Sequence, residues 1–132
     1  MKDKATLILV DDHAMFREGV RSILSELGGV SILGEANRGK EACTMASELR
    51  PELVIMDISL PDMSGIDATR RIMEILPEAR VVILSMHTQA AYIVDAFQAG
   101  AYGYVTKTST GTHLKKNTET VFSRPPTPLH HL

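Results

Sequence analysis

Short apolar runs recur along this chain, and each one stops on a polar residue. Leu53-Val54-Ile55-Met56 ends on Asp57, Leu7-Ile8-Leu9-Val10 on Asp11-Asp12, and Val81-Val82-Ile83-Leu84 on Ser85; Tyr104-Val105-Thr106 leads into Lys107. A run without polar alternation reads as a strand buried on both faces, the situation of a parallel sheet covered by helices. The polar residue that ends such a strand reaches the sheet's carboxyl edge, where open α/β folds bind ligands and do chemistry. Three acids, a hydroxyl and an amine are thereby delivered to one edge, with Asp57 at their centre.

Between the runs the pattern becomes helical. A first strand is predicted over Ala5–Val10 and a helix over Ala14–Leu27, with Phe16, Val20, Ile23, Leu24 and Leu27 on one face. Gly28-Gly29 ends that helix. A second strand is expected over Val30–Ala36, and a second helix over Arg38–Leu49 with Ala42, Met45, Ala46 and Leu49 inward. Pro51 forbids its continuation, and the third strand runs to Met56. After the loop Ile58–Met63, Ser64 is read as the N-cap of a third helix, with Asp67 completing a capping box. Ile66, Arg70, Met73 and Leu76 lie along it, and Pro77 closes it. A strand at Arg80–Leu84, a helix at Gln89–Ala99 with Gly100 as its left-handed exit, and a strand at Gly103–Thr106 complete the series.

This alternation predicts an α/β fold, a flavodoxin-like doubly wound sheet of five parallel strands in the order 2-1-3-4-5. Its switch point lies between strands one and three, which carry Asp11, Asp12 and Asp57. Strand two, at the outer edge, ends on Glu35-Ala36-Asn37 and is expected to contribute little. Residues 1–109 form the expected domain core. Residues 110–124 are an atypical fifth-helix region with only a thin stripe of Leu114, Thr118, Val121 and Phe122, so that helix is left open. Residues 125–132 are a Pro-rich tail, read as a linker stub or cloning scar.

Composition narrows the function. At 132 residues, 44% apolar and 23% charged, the chain is expected to be one soluble globular domain. A net charge of −2 carries no basic signature, so nucleic-acid binding is not expected of these residues. The lone Cys43 cannot form an internal disulfide and is read as a buried, inert thiol in a reducing compartment. The opening Met1–Thr6 enters a strand directly, and no apolar run approaches the ~20 residues that span a bilayer. The expected location is the cytoplasm, away from membranes.

Three carboxylates at close quarters repel one another and persist together only with a compensating cation. Oxygen ligands without His or Cys suit a hard ion, Mg²⁺ or Mn²⁺. Asp12 and Asp57 are the preferred direct ligands, Asp11 acts directly or through water, and the backbone carbonyl of Ser59 offers another oxygen. His13 is read as a surface residue near the site. Metal, the Lys107 ammonium and the Ser85 hydroxyl together suit a transferring phosphoryl group, whose charge lies on its equatorial oxygens. Asp57 is then the nucleophile.

Asp11-Asp12, Asp57 followed by Leu60-Pro61-Asp62-Met63-Ser64-Gly65, then Ser85 and Lys107, resemble the receiver (CheY-like) domain of bacterial two-component response regulators. Asp11-Asp12-His13 with Phe16-Arg17-Glu18-Gly19, and Lys107 followed by Thr108, are similar to the NarL/FixJ subfamily. The resemblance covers residues 5 to 109. It implies that Asp57 accepts a phosphoryl group from a phosphohistidine on a sensor histidine kinase, with Mg²⁺ at Asp11, Asp12 and Asp57. It also implies a switch in which Ser85 swings to the phosphoryl oxygens and Tyr104 moves from outside to inside. Ser59 and His87 match the positions that modulate phosphate lifetime. A homodimer through helix one or the region from strand four onward is left open. Subfamily members continue into a helix-turn-helix domain, so DNA binding is expected of a longer parent and not of this chain.

Three other readings fit less well. A haloacid-dehalogenase-like phosphatase also uses an Asp after a strand, but it wants a second acid where this chain has Ser59. A flavodoxin-like cofactor binder would need a phosphate loop where Asp11-Asp12-His13 would repel an anion. A pseudo-receiver scaffold would not need the complete acidic set. Turnover of a soluble substrate is therefore not expected.

Overall fold

The computed structural model describes residues 5–109. Its elements are β1 (Ala5–Val10), α1 (Ala14–Leu27), β2 (Val30–Ala36), α2 (Gly39–Leu49), β3 (Leu53–Asp57), α3 (Gly65–Ile75), β4 (Arg80–Ser85), α4 (Ala90–Gln98) and β5 (Gly103–Thr106), followed by a 3-10 turn at Lys107–Ser109. The expectations for residues 110–124 and 125–132 lie outside the described residues. The strands form one five-stranded sheet in the order β2-β1-β3-β4-β5, and every neighbouring pair is parallel. The predicted topology is the observed one.

Successive strand residues point to opposite faces, and here both faces are apolar. Ile8, Val10, Val54, Met56, Val81 and Ile83 pack with Ala42, Ala46, Ala68, Ile72 and Ala96 from α2, α3 and α4. Leu7, Leu9, Leu53, Ile55, Val82 and Leu84 pack with Val20 and Leu24 of α1. Burial on both sides explains the lack of polar alternation. It also carries burial to the end of β3, whose five residues, Asp57 included, are all buried.

Differences from the expected pattern have local causes. Asp57 and Ser85 are the last residues of their strands rather than the first beyond them, paired with Leu84 and Thr106. Arg38 and Gln89 are N-caps rather than helical residues. Leu49, expected inward, is 42% exposed, because α2 ends over the edge strand near Gly34, where one side of the helix has no neighbour to cover it. The reciprocal capping box is not formed. The Ser64 hydroxyl accepts from the Ile66 N–H at 3.1 Å, and the Asp67 carboxylate is drawn to Arg70 at 2.7 Å.

The loop between β3 and α3 is held at several points. Asp62 accepts from the N–H groups of Gly39 at 2.7 Å and Lys40 at 3.0 Å, so it caps α2 from another element. These N–H groups, Lys40 first and then Gly39, hold its carboxyl below the usual carboxylate range. Gly65 donates its N–H to Ile58 at 2.7 Å, and a Cβ at this position would lie 1.9 Å from the Asp57 carbonyl oxygen. Only glycine allows α3 to start this close to the end of β3.

Gly34 is also tight, but a Cβ there would meet the Met45 sulfur at 2.8 Å, the far end of a flexible side chain. Gly65→Ala is expected to lower the unfolding free energy by about 1–3 kcal/mol or more, as overpacking against a fixed neighbour does. Gly34→Ala should cost less. Urea unfolding of the two variants checks the order, and equal losses would mean that the start of α3 yields as easily as a methionine.

Candidate functional site

At the carboxyl edge, β1 and β3 lie side by side, and the loop after β5 returns Lys107 to them. Asp11 and Asp57 are buried, and Lys107 Nζ sits 2.9 Å from Asp11 Oδ2 and 3.3 Å from Asp57 Oδ2. One ammonium thus serves two buried carboxylates. Its underside is covered by Phe16, whose ring centre is 4.3 Å away, a cation–π contact. Asp12 is exposed at the rim. The Ser59 N–H donates to Asp57 Oδ1 at 3.2 Å, which turns the loop after β3 back over the acid.

His13, expected at the surface near the site, is exposed and reaches both of the acids before it. Its N–H donates to Asp11 Oδ1 at 2.8 Å, and its Nδ1 lies 3.3 Å from Asp11 and 3.0 Å from Asp12. As the N-cap of α1, His13 has extended backbone, which folds its ring back over the two acids before it. Ligand atoms of Asp11, Asp12, His13 and Asp57 all lie within 4.8 Å of one another. Three carboxylates and one solvent-facing ring nitrogen remain a donor set suited to a hard cation. The buried Oδ2 atoms of Asp11 and Asp57 both face the Lys107 ammonium. A further cation would relieve the carboxylate repulsion that Lys107 offsets only in part.

Burial, and next the neighbouring Asp11 charge, push the Asp57 carboxyl above the usual range; Lys107 and the Ser59 N–H pull it back only partly.

Ser85, His87 and Tyr104 form a connected chain beside this cluster. The His87 N–H donates to the Ser85 hydroxyl oxygen at 2.9 Å, and the Tyr104 hydroxyl donates to the His87 carbonyl at 2.7 Å. The His87 ring stacks on Tyr92 of α4, with centres 4.1 Å apart. Tyr104 is therefore anchored to the loop after β4, and the backbone of one residue, His87, links it to Ser85.

Two features were not legible in the sequence. Phe16 reads as one more core residue of an amphipathic helix. Glu35, at the end of a strand expected to contribute little, pairs with Arg17 at 3.0 Å and Arg21 at 2.6 Å, and Arg17 also donates to the Asp11 backbone carbonyl. Among the described residues, no helix is long and apolar enough to cross a membrane.

A doubly wound parallel sheet with buried acids and a lysine at its carboxyl edge defines a domain with an acidic, cation-ready pocket. Residues 7–119 match the family described as the response regulator receiver domain, and the chain belongs to that family. It is 39% identical over 101 residues to the chemotaxis protein CheY of Thermotoga maritima, covering 76% of this chain and 83% of that one. A two-component response regulator of the LuxR family from Aurantimonas sp. SI85-9A1 superposes with a TM-score of 0.85 at 40% identity, covering 89% of this chain and 84% of that one. The signal receiver domain of NarL from Mycobacterium tuberculosis gives a TM-score of 0.85 at 32% identity, covering 92% and 99%. These LuxR- and NarL-type neighbours agree with the expected subfamily. The chain spans about half the length, 45% to 58%, of the first curated regulators it matches.

The raised Asp57 carboxyl predicts a pH effect. The folded protein holds this proton more tightly than the unfolded chain, so stability falls as pH rises from the ordinary carboxylate range through the raised value. Asp57→Asn removes the buried charge and should raise the melting temperature at pH 7 without metal, with the gain shrinking as the pH drops toward 4. Thermal unfolding across that range checks it; a constant difference at every pH would contradict it.

Proposed function

We propose that this domain is a phosphoacceptor switch in which Asp57 receives a phosphoryl group from a phosphohistidine of a sensor histidine kinase. The observation that carries this reading is the buried pair Asp11 and Asp57 bridged by Lys107 at the carboxyl edge. An Asp57 carboxylate oxygen attacks phosphorus while the P–N bond to the donor imidazole breaks. The imidazole nitrogen takes up a proton, and Asp57 is left as an acyl phosphate. Mg²⁺ (or Mn²⁺), held by Asp11, Asp12, Asp57 and the Ser59 backbone carbonyl, would neutralise charge on the phosphoryl oxygens.

The protein's own groups do the rest. Lys107, already beside Asp57 Oδ2, stabilises negative charge arriving there. The Ser85 hydroxyl donates to the phosphoryl group after leaving the His87 N–H. That exchange loosens the loop on which Tyr104 is anchored and biases the face formed by β4, α4 and β5 toward a second arrangement. Ser59 and His87, at the rim, modulate how long the acyl phosphate lasts.

In this reading residues 1–109 are the receiver core, with 110–124 and 125–132 outside it. The domain acts in the cytoplasm, alone or as a homodimer. It promotes its own phosphorylation and dephosphorylation without turning over a soluble substrate. Its output, in a longer parent, is DNA-binding transcription regulation.

Incubation with phosphoramidate and Mg²⁺ should add a single mass of ~80 Da by intact mass spectrometry. Asp57→Asn should remain unmodified, and chelating the metal should slow the addition severalfold or more. A folded sample with no adduct, or sustained release of phosphate from a soluble ester, would sink the reading.

A further inference from the structure

The least expected contact around the site runs through the edge strand. The Arg17 guanidinium is one-fifth exposed and makes bonds in two directions: Nε donates to Glu35 Oε1 at 3.0 Å, and Nη1 donates to the backbone carbonyl of Asp11. The Asp11 N–H is held at 3.0 Å by the carbonyl of Ala36, the residue after Glu35. Both polar groups of the Asp11 backbone are thus tied to the end of β2 or to the helix resting on it. The next residues, Asp12 and His13, complete the acidic cluster.

The placement of Glu35 has a specific cause. β1 and β2 pair from Ala5 with Val30 to Leu7 with Ile32, then slip by one residue, so that Ile8 faces Gly34 and Leu9 faces Glu35. Without the slip, Glu35 would stand opposite Val10, whose side chain packs on the face of α2, α3 and α4. A shift of one residue moves a side chain to the other face of a sheet. Here it moves Glu35 to the face of Leu9 and α1, where Arg17 and Arg21 meet it, and leaves Leu33 as the extra, half-exposed residue. Bulges of this kind recur beside active sites, where they re-aim a side chain.

We propose that Arg17, braced by Glu35, is a positioning residue for the cation site: it fixes the chain direction through Asp11 and Asp12 so that their carboxylates converge with Asp57. The inference rests on the reading of these acids as the Mg²⁺ and phosphoacceptor site. Outer groups that orient metal ligands typically contribute 10–100-fold in metal affinity.

The sign of the effect separates positioning from plain electrostatics. Deleting a cation near three carboxylates, and leaving Glu35 with Arg21 alone, should tighten Mg²⁺ binding by Coulomb attraction alone. Loss of positioning should weaken it.

The test is a MgCl₂ titration of the full chain by amide NMR, with melting temperatures measured without metal. Arg17→Ala is expected to weaken Mg²⁺ about tenfold. Arg17→Lys should not restore it, since an ammonium cannot reproduce the two-directional fork. Glu35→Gln should weaken it to a smaller extent; Arg17→Lys, which keeps the charge and loses the fork, decides the matter if Arg17→Ala does not fold, and unchanged affinity in it overturns the role. Arg21→Ala removes an ion pair between the same two elements without touching Asp11, and should leave the affinity within about twofold. Unchanged or tighter binding by Arg17→Ala, unchanged binding by Glu35→Gln, or equal weakening by Arg21→Ala overturns the role of Arg17. An unsubstituted chain that takes up no Mg²⁺ overturns the reading of the site itself, and this role with it.

Discussion

Two buried carboxylates share one ammonium group, and much of the carboxyl edge is organised by that shortage of positive charge. Asp11 and Asp57 stand on adjacent strands because β1 and β3 are neighbours in the sheet. Asp57 is poorly solvated at its depth, and the neighbouring Asp11 charge adds to the cost of ionising it. Lys107 reaches both, but a single charge cannot neutralise two, still less the third carboxylate of Asp12 at the rim. The pocket therefore favours a small cation.

A site under this internal repulsion holds its shape only if the backbone is constrained from outside. Three restraints supply this. Gly65 lets α3 begin against the carbonyl of Asp57, and Asp62 ties the loop between them to the N-terminus of α2. Arg17 and Ala36 grip the Asp11 backbone from the opposite side. Each restraint joins different elements, so the geometry of the acids reports on the packing of α1, α2 and α3 together. Ser85 and Tyr104 are held more loosely, each by a hydrogen bond to the backbone of one residue, His87.

The strands, their parallel order and the edge that carries the chemistry were all legible in the residues. Uninterrupted apolar runs can be buried on both faces only in a covered parallel sheet, and a carboxylate at the end of one has nowhere else to lie. Asp11, Asp12, Asp57 and Lys107 could be named from that alone. The contact of the His13 ring with both acids could not, because it depends on the turn its own backbone makes as a helix cap. β2 lies where the residues place it, but the contacts of Glu35 were missed for a related reason. Glu35 matters through a one-residue slip in pairing, which leaves no mark in composition or periodicity.

Local pattern by itself determined the elements, the topology and the set of chemical groups at the edge, since these follow from which side chains can leave water. Tertiary structure alone decided which groups touch: Lys107 between two acids and over Phe16, Glu35 on the face of α1, and Tyr104 on the His87 carbonyl. Those pairings depend on strand register, helix approach and loop turns. Each is set by the packing of residues distant in the chain, so no stretch of sequence read singly contains it.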